Sequence, residues 1–262
     1  ATAFSAKADD GTTPFDTATC PVFQVALSTA RRRDWLASDR GLSPADLAMH
    51  VVLPEVDGRI LAGLISHKSP GKRHPDLQFS RFAHHPDAGR IEAVVDRVTH
   101  WHRLAATPAA DRSLAVILST YPGRAHQMAH AVGLDALAST EALLTTLAAE
   151  GYATTEGAPL PKALTETLTW PLAAYETALA SLPETLRNDL TQAWGNPASD
   201  PSVKHDQFHF PATYRGNTLI ALQPERGEVA TRDGDYHDLS RTPRHAYVAF
   251  YLWLRMQGLH AL

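Results

Sequence analysis

Short apolar runs alternate along the chain with segments in which apolar residues recur at helical spacing. Pro21–Leu27 and His50–Leu53 are apolar runs rich in β-branched residues, and Leu114–Leu118 and Thr218–Leu222 have the composition of buried strands. Gly89–Leu104 instead repeats apolar residues every three or four positions, which predicts a helix with one buried face. Alternating strands and helices predict an α/β fold with Rossmann-like layers around a parallel sheet.

The remaining segments are assigned by helix and turn signals. Ser43 is placed to cap a short helix that begins at Pro44, and further helices are predicted at 124–132, 139–151, 159–194 and 246–256. Segments rich in Pro, Gly, Asn and charged residues have no hydrophobic period and predict long loops at 66–88, 195–217 and 223–243.

These patterns divide the chain into four parts. Residues 1–19 have no hydrophobic period and are expected to form a surface or disordered segment. Residues 20–158 are expected to form an α/β domain, and 159–205 an additional helical insertion. Residues 206–262 are expected to return to the α/β sheet and end in a helix.

Composition narrows the class of protein. The chain has 262 residues, of which 44% are hydrophobic and 20% charged, as in ordinary globular domains. A formal net charge of -4 gives no general attraction for nucleic acid or an anionic membrane. No run approaches the roughly 20 apolar residues that a membrane span needs. The single cysteine, Cys20, forms no internal disulfide, so a cytoplasmic protein is expected.

Two carboxylates follow the predicted strand His50–Leu53. In parallel α/β sheets ligands bind beyond the carboxyl ends of the strands. If this loop is extended, Glu55 and Asp57 point to the same side, where they could hold a hydrated metal ion or accept protons from a substrate nitrogen. The structural alternative is that Glu55 caps backbone amides and Asp57 forms an Asx turn before Gly58.

Other candidate residues lie in the predicted loops. His67 could bind a metal or transfer protons, and Lys68 could bind an acidic group, unless both belong to a solvated loop. Tyr121 and Arg124 lie between the strand Leu114–Leu118 and a predicted helix, where a carboxylate or phosphate could bind. The sequence contains neither G-x-x-x-x-G-K-[ST] nor G-x-G-x-x-G, so nucleotide binding is not predicted.

Several segments resemble, in the same order, one known family. Residues 46–60 are similar to a D-L-x-x-x-V-x-x-P-E-x-D-G stretch, and residues 115–138 to a strand, Tyr-Pro loop and Gly-Leu-Asp segment. Residues 208–227 contain the G-N and Q-P-x-R-G elements, and residues 236–254 resemble a Tyr-His-Asp segment before an aromatic helix. With matches over about residues 20–260, the chain is identified as a member of the CobN-type cobaltochelatase and magnesium chelatase large-subunit family.

The resemblance implies a role in metal insertion. In this family the large subunit binds a tetrapyrrole and the incoming metal, while AAA+ ATPase and adaptor subunits bind ATP and Mg. For the cobalt branch, cobalt is the substrate metal and hydrogenobyrinic acid a,c-diamide the corrinoid substrate, in cobalamin biosynthesis. The implied partners are those subunits, the tetrapyrrole and the remainder of the large subunit.

The resemblance also implies residue roles. Metal insertion removes two pyrrole protons and strips water from the ion, and Glu55 and Asp57 are the candidates for these catalytic steps. His67 and His237 are the candidate metal ligands. The candidate substrate-binding residues are Lys68, Tyr121, Arg124, Gln223 and Arg226.

The family's large subunits are several times longer than this chain. In them a His-rich H-x-G-x-H-G motif follows the aromatic helix, near the position where this sequence ends at Leu262. We therefore expect an internal segment that holds at most half of an active site and is inactive alone. The alternatives are a non-catalytic structural or interaction module, a piece of a magnesium chelatase-type subunit, and a small metal-binding protein that uses its many histidines, among them His126 and His130.

Overall fold

The computed structural model describes residues 8, 10–119, 130–131, 134–227 and 241–262, with only the backbone of residues 130–131. The chain forms two compact units, Ala1–Arg103 and Leu104–Leu262. Their boundary lies inside the segment 20–158, which the sequence predicts to be one α/β domain. Each unit combines helices with a sheet that contains a parallel strand pair, which confirms the α/β class.

The first unit contains a three-stranded sheet in the order β1-β2-β3. Strand β1 (Phe23–Ser28) pairs in parallel with β2 (Ile60–Arg73), and β2 pairs antiparallel with β3 (Ser80–Pro86). The loop predicted at 66–88 is therefore wrong. Pro70 and Gly71 fit into β2 because the pairing with β3 shifts register between Pro70 and Arg73.

The strand predicted at His50–Leu53 is also wrong, because this segment is helical. The helices of this region are α1 (Arg32–Leu36), α2 (Pro44–Leu47), a π-helical turn (Ala48–Val52) and α3 (Leu53–Val56). The predicted cap is confirmed, since Ser43 Oγ accepts the N–H of Asp46 at 3.1 Å. The π-helical turn ends two residues before Pro54, which has no N–H to donate to the carbonyl of His50 in an α-helix.

Helix α4 (Ala88–Ala106) confirms the helix predicted from the apolar spacing. Gly63 of β2 has φ +147°, and a Cβ there would lie 3.3 Å from Val94 Cγ2, so the glycine permits close packing of α4 on the sheet. Arg97 donates to the carbonyl of Ala62 at 2.9 Å. The rings of Phe23 and Trp101 meet edge to face with centroids 5.9 Å apart.

The second unit is built on a mixed sheet. Its strand order is β4-β10-β9-β7, with β8 paired to β9. The strands are β4 (Leu114–Leu118), β7 (Thr167–Pro171), β8 (Val203–Lys204), β9 (Gln207–Arg215) and β10 (Thr218–Leu222). Only β4 and β10 pair in parallel among these described strands; the other pairs are antiparallel.

Two sequence assignments change in this unit. The segment predicted as a helical insertion, 159–205, also contains β7 and β8, and the loop predicted at 195–217 contains β9. Strand β9 alternates buried and half-buried residues over most of its length, the pattern of a strand with one core face. The Asn, Pro and Gly residues on either side of β9 led to the prediction of a loop instead.

The helices of the second unit cover the sheet. They are α5 (Ala136–Ala149), α6 (Leu160–Ala163), α7 (Leu172–Leu179), α8 (Glu184–Trp194) and α9 (His245–Arg255). Helix α5 is capped by Asp135, which accepts the N–H of Ala138 at 2.9 Å. Of the helix predicted at 124–132, residues 130–131 form β5, which pairs with β6 (Leu134–Asp135), and residues 124–129 lie outside the described residues.

Aromatic side chains form the core on one face of this sheet. Phe208 and Phe210 of β9 are fully buried, and their rings stack with centroids 6.1 Å apart. Phe250 and Trp253 of α9 pack against Phe210 at 5.4 and 5.1 Å. Both of these aromatic residues of α9 therefore contribute to this core. No helix of the described chain is long and apolar enough to cross a lipid bilayer.

A buried hydrogen-bond chain connects α7 to α9. The hydroxyl of Tyr175 lies 2.7 Å from His245 Nδ1, and His245 Nε2 lies 3.1 Å from the carbonyl of Gly195. The carbonyl can only accept, so Nε2 donates to it and Nδ1 accepts from the tyrosine. Burial raises the pKa of Tyr175, so its hydroxyl remains protonated.

We expect Tyr175→Phe to reduce the free energy of unfolding by about 1–3 kcal/mol, because it leaves His245 Nδ1 buried without a donor. Urea denaturation measures this loss. The matched control is Tyr214→Phe, since Tyr214 is 47% exposed and its removal should change stability by less than about 0.5 kcal/mol. Equal effects of the two substitutions would contradict a stabilising role for the buried chain.

Candidate functional site

The predicted carboxylate pair is separated by the helical conformation of α3. Glu55 is exposed on α3, whereas the Asp57 side chain is fully buried at the end of that helix. Residues two positions apart on a helix are rotated by about 200° around its axis. The expectation that an extended loop points both carboxylates to the same side is therefore wrong.

Asp57 is the partner of a buried arginine. Its Oδ2 lies 2.6 Å from Nη2 of Arg59, and the two side chains are 0% and 2% exposed. Arg59 also donates to Gln24 Oε1 at 3.2 Å, and its guanidinium lies 4.8 Å from the ring centroid of Phe15. These contacts hold Asp57 inside the first unit, which leaves Glu55 as the solvent-accessible member of the predicted pair.

We expect Asp57→Asn to destabilise the first unit by about 3 kcal/mol, because it leaves the Arg59 guanidinium buried without its carboxylate. Glu55→Gln is the matched control and should change the free energy of unfolding by less than about 0.5 kcal/mol, since Glu55 is exposed. Urea denaturation of both variants tests the difference. Equal stability would contradict the structural role of the ion pair.

His67 lies in β2, opposite Ser28 of β1, and is only 3% exposed. Neither ring nitrogen has a hydrogen-bond partner among the residues that the structure describes, and the Trp35 ring lies 5.7 Å away. Burial lowers the pKa of His67, and the nearby charge of Arg90 lowers it further. The imidazole is therefore neutral near pH 7, the form that binds metals and accepts protons.

No described residue of this region completes a metal centre with His67. Lys68 is half-buried in β2 and pairs with His84 of β3, so the solvated-loop alternative is wrong for it and for His67. Within the part of the chain that the structure describes, no group of three His, Cys, Asp or Glu side chains could hold a metal ion. Tyr121, Arg124 and His237 lie outside the described residues.

A second cluster of polar residues follows β10 in the second unit. Gln223 is the first residue after β10, and its N–H donates to the carbonyl of Leu118 at the end of β4. Its side-chain Nε2 lies 2.5 Å from the Tyr251 hydroxyl and 3.1 Å from the Tyr247 hydroxyl. Gln223 thus connects the end of the parallel strand pair with helix α9.

This strand end borders a cleft of about 290 Å³. Its lining combines apolar side chains with polar ones, the latter being Ser202, His209, Gln223, Glu225 and Arg244. Small-molecule sites commonly have such a mixed lining, in which a few polar groups set ligand orientation. The predicted residue Gln223 is therefore at a cavity, in the place where parallel sheets bind ligands.

Arg244 is held at the start of α9. Its Nη2 lies 3.1 Å from Asp200 Oδ1, and its guanidinium lies 5.7 Å from the ring centroid of Trp194. Asp200 also accepts the N–H groups of Ser202 at 2.9 Å and Ala246 at 3.2 Å. The buried carboxylate therefore holds Arg244 and the first turn of the helix together.

Arg226 supports this arrangement through its backbone. Its carbonyl accepts the N–H of Arg244 at 2.8 Å, and its guanidinium donates to the carbonyl of Arg241 at 3.0 Å. Sequence reasoning did not select Arg244 or His209 as site residues. The usable signals were the position of Arg244 directly before a predicted helix and the alternating pattern around His209.

The Tyr251 hydroxyl should make the free energy of unfolding depend on pH in the alkaline range. Burial, followed by the nearby Tyr247, raises the pKa of Tyr251 from 10.0 to about 12. The folded protein retains this proton where the unfolded chain loses it, so the contribution is complete below pH 10 and is lost as pH rises towards 12. We expect Tyr251→Phe to reduce this alkaline loss in urea denaturation between pH 8 and pH 11. Tyr214→Phe is the control, and an unchanged slope in Tyr251→Phe would contradict the assignment.

Comparison with known proteins shows extended similarity. The family model described as CobN/Magnesium Chelatase matches residues 1–262. The aerobic cobaltochelatase subunit CobN of Sinorhizobium sp is 32% identical over 97% of this chain and 21% of its own length. The Pseudomonas aeruginosa CobN subunit is 33% identical over 90% of this chain and 20% of its own length.

A magnesium-chelatase relative and a solved structure extend the comparison. The magnesium-chelatase subunit from Rhodobacter capsulatus is 28% identical over 84% of this chain and 20% of its own length. The catalytic subunit of cobaltochelatase from Mycobacterium tuberculosis superposes with a TM-score of 0.77 at 29% identity, over 100% of this chain and 24% of that one. The chain thus spans about a fifth of the length of the curated relatives it matches.

Proposed function

The chain belongs to the CobN/magnesium chelatase family, and we propose that it forms part of the tetrapyrrole- and metal-binding large subunit of an ATP-dependent chelatase. One observation supports this most directly. The family match extends over the whole chain, and the Gln223–Gly227 segment that resembles the family also borders the cleft at the end of β10.

We propose cobalt as the metal and hydrogenobyrinic acid a,c-diamide as the substrate, in cobalamin biosynthesis. The support is the order of similarity: two CobN subunits are 32% and 33% identical to this chain, and the Rhodobacter capsulatus magnesium-chelatase subunit is 28% identical. Because of the similarity to this magnesium-chelatase subunit, the second candidate function is that of a magnesium chelatase-type large subunit. Activity with cobalt or with magnesium ions separates the two.

The proposed complex divides the chemistry between subunits. AAA+ ATPase and adaptor subunits would bind ATP and Mg, and the sequence of this chain, which lacks both phosphate-binding glycine motifs, agrees with that division. The remainder of the large subunit would complete the active site. We propose a cytoplasmic location for this assembly.

Within the first unit, Glu55 is the proposed proton acceptor. Insertion of a divalent metal releases two protons from pyrrole nitrogens, so a carboxylate near the macrocycle increases the rate by accepting them. Glu55 is exposed, whereas Asp57 is buried against Arg59 and would act by holding the turn after α3. Lys68 and His67 remain the proposed substrate-binding and metal-binding residues of this unit.

Within the second unit, we propose that Gln223 and Arg226 position the macrocycle at the cleft. Gln223 is fixed by Tyr247 and Tyr251, so its amide has a defined orientation beside the cavity. Arg226 holds the backbone of Arg244 and thereby the start of α9. A rigid wall of this kind reduces the entropy cost of ligand binding.

The direct test is cobalt insertion by the full-length large subunit, assembled with its ATPase and adaptor subunits and supplied with ATP and the corrinoid. Glu55→Gln should lower the turnover number by about 100-fold, the usual effect of removing a general base, and leave corrinoid binding within about twofold. Glu150→Gln, at the exposed end of α5, is the matched control.

Three outcomes are informative. Unchanged turnover in Glu55→Gln would remove Glu55 from the chemistry. Turnover of the unaltered complex with magnesium but not cobalt would favour the magnesium chelatase-type function. Absence of any tetrapyrrole binding by the unaltered subunit would contradict the proposed function and favour a structural module.

A further inference from the structure

Not every N–H donor of the Arg244 guanidinium has an acceptor in the described part of the chain. Its Nη2 binds Asp200, but its Nε–H is buried and has no acceptor in the described part of the chain. A buried charged donor without an acceptor is uncommon, because losing its water costs free energy that a partner normally restores. Arg244 lines the cleft, and the N–H groups at the end of the guanidinium that do not bind Asp200 can donate to a ligand there.

The charge of Arg244 is only partly balanced by Asp200. The two Asp200 carboxylate oxygens also accept the N–H groups of Ser202 and Ala246, the second of which lies in the first turn of α9. The negative charge is therefore shared between the guanidinium and the positive end of the helix dipole. Arg244 therefore provides the guanidinium of a lining that also contains the Glu225 carboxylate.

Two further donors line the same cleft. Ser202 contributes a hydroxyl, and His209 contributes an imidazole whose Nδ1 lies 3.1 Å from Thr167 Oγ1. This bond fixes the ring and leaves Nε2 as the nitrogen that a ligand can use. The contact between Arg244 and Trp194 likewise restrains the guanidinium, so the donors are ordered before a ligand binds.

The size of the cleft limits what it can accept. Its volume of about 290 Å³ is at the lower end of the range for small-molecule sites, about 300–1,000 Å³, so it suits a side arm or one edge of a macrocycle. A planar guanidinium can bind a carboxylate through two parallel hydrogen bonds, because two of its N–H groups match the two oxygens.

We propose that this cleft binds a carboxylate side arm of the tetrapyrrole, with Arg244 as the residue that recognises the anion and His209 and Ser202 as additional donors. This assignment rests on the proposed function. Glu225 also lines the cleft, and its carboxylate opposes the bound arm. Arg244 and Glu225 therefore affect affinity in opposite directions.

The test is fluorescence titration of the 262-residue chain with coproporphyrin, which has propionate arms, and with a tetracationic N-methylpyridyl porphyrin. Arg244→Gln should weaken coproporphyrin binding about tenfold or more. Arg244→Lys retains the charge but not the planar guanidinium, so its affinity for coproporphyrin should lie between that of Arg244→Gln and that of the unaltered chain. Glu225→Gln should tighten binding severalfold. The matched control is Arg255→Gln, an exposed arginine at the end of α9 whose loss removes the same charge.

The outcomes distinguish this assignment from the proposed function. If the unaltered chain binds coproporphyrin and Arg244→Gln binds it equally well, the carboxylate site is wrong and tetrapyrrole binding stands. If the unaltered chain binds neither porphyrin, the carboxylate site is overturned for this chain, and tetrapyrrole binding by the full-length large subunit decides the proposed function separately. If circular dichroism shows that Arg244→Gln is unfolded, Glu225→Gln decides: tighter coproporphyrin binding supports the site, and unchanged or weaker binding overturns it.

Discussion

Burial of strand β10 on both of its faces is the constraint on which the second unit depends. All five residues, Thr218–Leu222, are buried. Leu219 and Ala221 contact the aromatic core, while Ile220 and Leu222 join a second cluster with Leu118. Such a strand must have neighbours on both edges and cover on both faces, so its carboxyl end is fixed in space. Gln223 directly follows this strand, so Gln223 and the adjoining wall of the cleft are held in place as well.

The sequence predicts best those elements whose own residues show a clear hydrophobic pattern. Strand β10 is a continuous apolar run, and α4 repeats apolar residues at helical spacing, so both were predictable. Strand β3 was not, because nearly all of its residues are exposed and its pairing comes from β2. The three apolar residues of the segment His50–Leu53 fit either a strand or a helix, and tertiary context selects the helix.

The candidate site divides in the same way. The position of Gln223 directly after a buried strand was readable from the chain alone, and the cleft confirms that this strand end borders a cavity. Arg244 and His209 come from the start of a helix and from the antiparallel neighbour β9, and only folding brings them together. Asp57 was predicted as a catalytic carboxylate but forms a buried ion pair with Arg59. The spacing of the two residues in the sequence is compatible with either role.

The π-helical turn Ala48–Val52 sets the direction in which α3 presents its side chains. A π-helical turn contains one residue more than an α-helix would use for the same rise, and each residue advances the helix by about 100°. That extra residue lets Pro54 face inward while Glu55 is exposed. If the same residues formed a regular α-helix instead, α3 would be rotated by about 100°, and Pro54 and Glu55 would no longer face these directions. The conformation of this short segment, as much as the identity of its residues, therefore determines whether the first unit offers a carboxylate to solvent.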